Sequence, residues 1–360
     1  MLSELNVEWR QPETQESSRW AQDPYNLSQG GPKKIAVRSL VAAIAVALAS
    51  AALLAALPVH AQSFPSKPLK IVTSAPPGGS PDVLARIVGQ GLSTRLGVPV
   101  TIENTQGGAG NIAANAVARS NPDGHTLLTA TAQLSVNETL FKDLPFHAVD
   151  SFAAVVNAVR SVQVLAVHKD SKFRSVREFV AAAKAAPEQL TIASPAIGTT
   201  GHLGVLMLQN QAGFKVTAVP YKGSNQALAD VLGQRADAIL VTIAPALPFI
   251  KDGRLRAIGV PSPTRSREMP NVPTFAEQGI ANFDLDSWQG FVARSGTPKP
   301  LIDRLNREIN AVLKDPAVRT ALEKAACEVE GGTPEAFARL ISNEIGTWKD
   351  IILANNIRAE

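Results

Sequence analysis

Three glycine-rich turns are the segments of this sequence whose residue types and spacing best fit ligand binding. They occupy residues 75–80, 107–110 and 197–201, and each lies between a predicted strand and a predicted helix start. A helix N-terminus leaves about four N–H groups unpaired and carries roughly half a positive charge, and glycine lets a ligand approach that backbone. None of the turns contains Arg or Lys. Together they predict a site that holds a small carboxylate by backbone dipoles and hydroxyls. Tight packing explains any single turn equally well.

Two titratable side chains lie inside the helix starts that follow these turns. His202 is placed to donate a hydrogen bond into a cleft, or alternatively to cap its own helix or pack. Asp82 is placed to accept a hydrogen bond from a ligand amine or hydroxyl. The alternative for Asp82 is a charge interaction with the helix dipole, because an acidic residue is favourable in the first turn of a helix.

Catalytic and cofactor motifs are missing from the sequence. There is no G-x-S-x-G, no H-E-x-x-H and no cluster with metal-ligand spacing. Residues 108–113 match the dinucleotide pattern G-x-G-x-x-A, but the strand that follows ends at 127–130 without the acid that the pattern requires. The single cysteine, Cys327, excludes internal disulfides and thiolate zinc clusters and is expected to be a buried small hydrophobe. We therefore expect no metal, no cofactor and no enzymatic activity.

The composition describes a folded protein with no preference for nucleic acid. The 360 residues contain 35 Lys+Arg and 31 Asp+Glu, a formal charge of +4, and only 5% aromatic residues. Dedicated nucleic-acid binders carry a stronger basic bias, and single-strand binders need aromatic stacking platforms. The length allows two domains.

Residues 1–61 have the layout of an export leader. Lys33, Lys34 and Arg38 precede an apolar segment at 41–57, and small residues precede a cleavage site after Ala61. The alternative is a transmembrane anchor, for which this segment is at the short limit of about 17–25 residues. Residues 1–30 are acidic and fit a signal poorly, so we interpret them as an upstream extension. The protein is expected in the periplasm, soluble and without the leader.

The elements that position the turns alternate between strand and helix. Repeated βαβ units of this length predict an α/β fold in which mostly parallel sheets are covered by helices. Strands are predicted at 69–74, 100–103, 126–129, 164–167, 191–194, 216–219, 238–241, 256–260 and 283–293. Helices are predicted at 80–96, 111–120, 176–186, 201–212, 224–232, 298–314, 316–326 and 334–355.

Several further segments appear in a characteristic order. They include Pro-Pro-Gly-Gly-Ser-Pro-Asp at 76–82, Pro-Asp-Gly-His-Thr-Leu-Leu at 122–128, Gly-Thr-Thr-Gly-His-Leu at 198–203, Val-Pro-Tyr-Lys-Gly at 219–223 and Trp-Gln-Gly at 288–290. From about residue 64 to 357 the chain resembles the substrate-binding receptors of tripartite tricarboxylate transporters, the periplasmic Bug family.

The resemblance implies a two-lobe periplasmic binding protein of type II, a Venus flytrap with an α/β sheet in each lobe. The first lobe would hold residues 62–164 and 284–360 and the second residues 165–283, with hinge strands at 164–167 and 285–289. The turns at 77–82 and 198–202 would be the pincers that close on the ligand. The implied ligand-binding residues are Pro77, Gly78, Gly79, Ser80, Asp82, Gly108, Gln133, Gly198, Thr199, Thr200, His202 and Thr242.

The resemblance also implies the partners. The ligand would be a di- or tricarboxylate, an amino acid or an aromatic acid, and the receptor, a monomer, would deliver it to membrane permease subunits. The alternatives are a ligand-sensing receptor of a two-component system and, less favoured, an exported α/β enzyme. The sequence departs from the family pattern at Ser74–Ala75, 107–110, Gly201 and Thr242. These departures fall at the cleft and leave the identity of the carboxylate open.

Overall fold

The computed structural model describes residues 43–45 and 64–359. The eleven strands of this part are β1 (Leu69–Thr73), β2 (Val100–Asn104), β3 (Thr126–Thr131), β4 (Phe152–Ser161), β5 (Gln163–His168), β6 (Thr191–Ser194), β7 (Thr217–Pro220), β8 (Ala238–Thr242), β9 (Leu255–Gly259), β10 (Ser287–Arg294) and β11 (Glu328–Val329). The ten helices named there are α1 (Ser80–Leu96), α2 (Asn111–Ala118), α3 (Gln133–Leu140), α4 (Val176–Ala185), α5 (Thr200–Ala212), α6 (Ser224–Leu232), α7 (Ile243–Lys251), α8 (Lys299–Lys314), α9 (Pro316–Lys324) and α10 (Pro334–Ala354).

Two sheets divide these strands, and each sheet with its helices forms one lobe. The first has the order β11-β4-β10-β3-β1-β2 and the second the order β7-β6-β8-β5-β9. In the first lobe β1 is parallel to β2 and β3, while β10 runs antiparallel to β3 and β4. In the second lobe β6 is parallel to β7 and β8, while β5 runs antiparallel to β8 and β9. The two lobes therefore repeat one topology, in which β1, β3 and β10 correspond to β6, β8 and β5.

Both sheets are mixed, which corrects the expectation of mostly parallel sheets. The three parallel strands in each lobe come from the βαβ units that the sequence reveals. The antiparallel strands are added where the chain passes between the lobes, since β4 leads into β5 through Val162 and β10 returns from the second lobe. The return falls between Leu285, whose N–H donates to Pro261 O, and Ser287, which pairs with Ser161. The sequence had placed these two passages after residues 164 and 283.

Local sequence explains where the helices near the candidate site begin and end. Helix α1 has Gly79 as its N-cap, Pro81 in its first turn and Gly97 as a left-handed C-cap at φ 70°. Proline fits the first turn because its missing N–H would be unpaired there anyway. Leu84, Val88 and Leu92 repeat at helical spacing and bury one face of α1 in the first-lobe core.

The last helix, α10, packs on both lobes. Its first half buries Phe337 and Ile341 against the first sheet, in a cluster with Trp288 and Val292. Its second half buries Trp348, Ile351 and Ile352 in the core of the second lobe. The helix thus connects the two lobes independently of the two places where the chain passes from one lobe to the other. None of the helices in the described ranges is long and apolar enough to cross a membrane.

Candidate functional site

The first turn connects β1 to α1 at the carboxyl end of the first sheet. Pro77 and Gly78 are exposed, and Gly78 has φ +83°, a conformation that favours glycine. The Gly79 N–H donates to Pro76 O at 2.9 Å. Ser80, the first residue of α1, accepts a hydrogen bond on Oγ from Gln289 Nε2 at 2.7 Å. The free N–H groups at the start of α1 therefore lie beside an exposed loop, as an anion site requires.

Asp82 lies below this turn rather than in front of it. Its Oδ2 accepts from Gly78 N and Arg86 Nε, each at 2.8 Å, and its Oδ1 accepts from Asn104 Nδ2 at 2.7 Å. Its side chain is 1% exposed. The hydrogen bond from Arg86 lowers the pKa of Asp82 to about 2, against the opposing effect of burial. Both oxygens of Asp82 thus hold the turn in place, and direct binding of the ligand by Asp82 stays a prediction.

The second turn has an unusual backbone. Gly107, Gly108, Ala109 and Gly110 all have positive φ, and Ala109 does so at 52° without being glycine. Asn137 of α3 supports this strained segment, since its Nδ2 donates to Ala109 O at 3.0 Å. Strain of this kind persists only where neighbouring groups fix it. The exposed Gly108 presents this backbone to solvent.

Gln133 supports the second turn from behind. Its Nε2 donates to Asn137 Oδ1 at 2.6 Å. Gln133 thereby positions Asn137, which in turn donates to Ala109 O. Gln133 also lines a cavity of about 20 Å³ together with Thr129. This volume is sufficient for one water molecule, which needs about 10–15 Å³.

The third turn connects β6 to α5 in the second lobe, at the position that the first turn holds in the first lobe. Gly198 has φ +76°, and Thr199 caps α5 by accepting from His202 N at 3.4 Å. His202 Nδ1 accepts from Gly198 N at 3.3 Å. Burial lowers the pKa of His202, so the ring is neutral near pH 7. The structure thus shows His202 in a capping role, and donation of a hydrogen bond from His202 into the cleft stays a prediction.

Two threonines complete the second-lobe side. Thr200, the first residue of α5, accepts on Oγ1 from Gln163 Nε2 at 3.1 Å. Thr242 ends β8 and is paired in register with Gln163 of β5. Sequence reasoning missed the contact of Gln163 with the start of α5, although a lone polar residue in the apolar run 162–167 was a usable signal.

The first turn is adjacent to the second, and the second turn faces the third across a groove. Ser74 lies close to Gly110, which joins the first turn to the second. Between the second turn and the third is a groove of about 460 Å³, lined by Gly108 and Leu140 of the first lobe and by Ile197 and Tyr221 of the second. This volume is within the usual 300–1,000 Å³ of small-molecule sites.

A second cavity lies where the chain passes between the lobes. It measures about 310 Å³ and is lined by Arg160, Asp286, Trp288, Glu344 and Trp348, among others. Arg160 Nη1 pairs with Asp286 Oδ2 at 2.8 Å, and Trp288 Nε1 donates to Glu344 Oε2 at 2.6 Å. Burial raises the pKa of Asp286 to about 7 despite Arg160, and burial likewise raises the pKa of Glu344 to about 7.

Comparison with known proteins agrees with this geometry. Residues 84–357 match the sequence pattern of TctC, the tripartite tricarboxylate transporter family receptor. The chain belongs to this family. Its members are solute-binding receptors and not enzymes, so this receptor is one too.

Two relatives align with the receptor over most of its length. A Pseudomonas sp. (strain P51) protein encoded between tcbD and tcbE is 34% identical over 89% of this chain and 95% of its own. The protein BugT of Bordetella pertussis is 33% identical over 87% of this chain and 96% of its own.

Solved structures share the fold of the receptor. A periplasmic transporter is 34% identical with a TM-score of 0.69, covering 82% of this chain and 99% of that one. MatC from Rhodopseudomonas palustris with bound malate is 28% identical with a TM-score of 0.67, covering 80% and 100%. Another R. palustris protein with adipate is 29% identical with a TM-score of 0.69, covering 80% and 97%. These neighbours are periplasmic binding proteins of two-lobe fold.

Proposed function

We propose that the receptor captures a small organic carboxylate between its lobes and delivers it to a tripartite tricarboxylate-type permease. The observation that carries the proposal is the equivalent placement of α1 and α5. Each begins at the carboxyl end of the same strand of the repeated topology, and each presents a hydroxyl, Ser80 or Thr200, at its first position. Two helix N-termini that face one cleft suit an anion. The malate and adipate of the two R. palustris proteins are also carboxylates.

The absence of a cation at the turns fits a receptor that must release its ligand. No Arg or Lys is present in residues 75–80, 107–110 or 197–201. Backbone N–H groups and hydroxyls bind a carboxylate without a buried ion pair, whose disruption would cost about 3–5 kcal/mol. The proposed direct ligand contacts are Pro77, Gly78, Gly79, Ser80, Gly108, Gly198, Thr199, Thr200 and Thr242.

Closure is proposed to occur by rotation of lobes 62–164 with 284–360 against 165–283. The rotation would take place at the two strand passages, near Val162 and Leu285. Ligands drive such closure only by the difference in their affinity for the open and closed states. The leader 1–61 and its cleavage after Ala61 fall on residues that, apart from 43–45, lie outside the described residues. Removal of this leader would leave a monomeric protein in the periplasm.

A thermal-shift and calorimetry screen tests the proposal. The protein purified from the periplasm is titrated with di-, tri-, amino and aromatic carboxylates, and with a sugar and a divalent metal for comparison. We expect at least one carboxylate to bind without turnover. At 100 times its Kd it should add roughly 2.7 kcal/mol to the free energy of unfolding. Stabilisation by the sugar or the metal but by no carboxylate would overturn the proposal.

Intrinsic fluorescence gives a second readout for the same screen. After residue 61 the tryptophans are Trp288 and Trp348, and both line the cavity between the lobes. Closure should alter the surroundings of Trp288, so we expect saturating ligand to change the emission of the Trp348→Phe variant. The reciprocal variant, Trp288→Phe, identifies any contribution of Trp348.

A further inference from the structure

Two glutamines hold equivalent positions in the two lobes. Gln289 lies on β10 and is paired with Thr131, the last residue of β3. Gln163 lies on β5 and is paired with Thr242, the last residue of β8. Because β10 and β3 correspond to β5 and β8 in the repeated topology, each glutamine is at the same point of its sheet. Both sit at the edge from which α1 and α5 begin.

Each glutamine contacts the first residue of the corresponding helix. Gln289 Nε2 donates to Ser80 Oγ at 2.7 Å and also lies 3.4 Å from Ser161 Oγ. Gln163 Nε2 donates to Thr200 Oγ1 at 3.1 Å. One amide on the strand that joins the lobes therefore touches the N-terminus of each helix that faces the cleft. The repetition of this contact in both lobes points to a shared role.

The other end of each amide has no partner. Gln163 is 1% exposed and Gln289 is 5% exposed, and Oε1 of each is buried without a hydrogen bond to any residue in 43–45 or 64–359. A buried acceptor left unpaired destabilises the folded protein. Most buried polar groups in folded proteins are paired, and these two unpaired acceptors lie at equivalent places beside the proposed ligand site, where a donor from outside the chain would satisfy them.

We propose that Gln163 and Gln289 select the ligand by accepting hydrogen bonds from a hydroxyl or ammonium group adjacent to its carboxylate. The carboxylate accepts hydrogen bonds from the backbone N–H groups at the start of α1 or α5. Each amide is one hydrogen bond away from the first hydroxyl of these helices, so a donor that reaches Oε1 must lie close to the carboxylate. The preferred substrates are thus 2-hydroxy and 2-amino acids. This inference rests on the proposed function and narrows its ligand class.

The size of the effect follows from the unpaired acceptors. A site built to bond a hydroxyl rejects the analogue that lacks it, because the polar groups of the site then stay unpaired. We expect the 2-hydroxy acid to bind at least about tenfold more tightly than its unsubstituted analogue, because its hydroxyl group gains a hydrogen bond and also pairs a buried acceptor that is otherwise unpaired.

The test compares matched acids by calorimetry. One series is 2-hydroxybutanedioate, 2-aminobutanedioate and butanedioate, and the other is 2-hydroxy-3-phenylpropanoate and 3-phenylpropanoate. The proteins are wild type, Gln163→Met and Gln289→Met, in which the acceptor is lost at similar volume. Gln209→Met is the matched control, because Gln209 is a buried glutamine of α5 whose Oε1 already accepts from Val216 N at 2.9 Å.

The outcomes separate this inference from the proposed function. We expect wild type and Gln209→Met to prefer the substituted acids, and Gln163→Met or Gln289→Met to lose most of that preference. Equal binding of substituted and unsubstituted acids by wild type overturns the inference even if no variant folds. A preference retained by both variants also overturns it, as does binding confined to carboxylates without an adjacent donor. If no carboxylate of any class binds, the proposed function itself fails.

Discussion

Leu140, at the end of α3 in the first lobe, packs directly against Gly198, in the third turn of the second lobe. A methyl group added at Gly198 would overlap the Leu140 Cδ2 atom. One of the candidate ligand-binding turns is therefore in contact with the opposite lobe in this structure. Glycine serves two needs here, because the backbone has positive φ and the space beside it belongs to Leu140.

We expect Gly198→Ala to weaken carboxylate binding by about tenfold or more, because the added methyl holds the lobes apart and closure becomes costlier. The measurement is Kd by calorimetry with the acid that the screen identifies. Gly213→Ala is the control, because Gly213 has a similar φ of +64° at the C-cap of α5 but nothing within 4 Å of an added Cβ.

Both substitutions strain the backbone, by about 1 kcal/mol, so their unfolding temperatures should fall alike. Only Gly198→Ala should lose affinity. Equal affinity in the two variants would show that the Leu140 contact has no part in ligand capture. A double variant with Leu140→Ala should recover part of the lost affinity by removing the overlapping side chain.

Asp82 offers a prediction about stability. Asp82→Asn removes the charged acceptor of Gly78 N and Arg86 Nε, so we expect the free energy of unfolding at pH 7 to fall by about 1–3 kcal/mol. Because the pKa of Asp82 is lowered to about 2, its stabilising effect is present above pH 4 and is lost as the pH falls toward 2. The variant and wild type should therefore converge in acid denaturation.

Asp252→Asn is the comparison for Asp82. Asp252 pairs with its neighbour Arg254 at the surface, with 44% of its side chain exposed, so its loss should change stability by less than about 0.5 kcal/mol. Urea titrations of both variants at pH 7 decide the matter. If Asp82→Asn lowers the free energy of unfolding no more than Asp252→Asn does, Asp82 does not support the first turn.

Sequence alone predicted the elements that carry strong local signals. The starts of α1, α9 and α10 were predicted from prolines in first turns, and the structure has α9 and α10 begin at Pro316 and Pro334. The three glycine-rich turns were predicted between strands and helix starts and are found there. Local rules succeed at these places because capping and proline geometry depend on a few neighbouring residues.

The elements and contacts that the sequence did not predict depend on residues that are far apart along the chain. Strand β4 was not predicted, because it is fixed by pairing with β10, more than 120 residues away along the chain. Helix α7 was missed because Pro245 and Pro248 oppose helix propensity, and tertiary packing of Ile243 and Ala246 overrides it. The contacts that hold the Asp82 side chain were not predicted, because its partner Asn104 comes from another strand. No local pattern shows that both carboxylate oxygens are already bonded.

Two glycines within helices should respond to alanine substitution with opposite changes in stability. Gly346 lies in the exposed interior of α10 with nothing within 4 Å of an added Cβ, so Gly346→Ala should raise the free energy of unfolding by about 0.5–1 kcal/mol. A methyl group at Gly204 of α5 would overlap the Leu285 side chain, so Gly204→Ala should lower the free energy of unfolding. Chemical denaturation measures both. A shift in the same direction for both variants would contradict the packing of α5 against the strand passage at Leu285.

The acids between the lobes predict how stability depends on pH. Asp286 and Glu344 have pKa values raised to about 7 in the folded protein, against about 4 when unfolded. The folded state therefore binds more protons than the unfolded state between pH 4 and 7, so stability falls as the pH rises through this window and levels off above it. Glu344→Gln stays neutral and still accepts from Trp288 Nε1, so it should be more stable than wild type above pH 7 and similar at pH 5.

Asp350→Asn, an exposed site on the same helix, should follow wild type across melting curves from pH 5 to 8. Parallel curves for Glu344→Gln and wild type would mean that Glu344 is already ionised at pH 5 and that its burial is compensated by the surrounding donors.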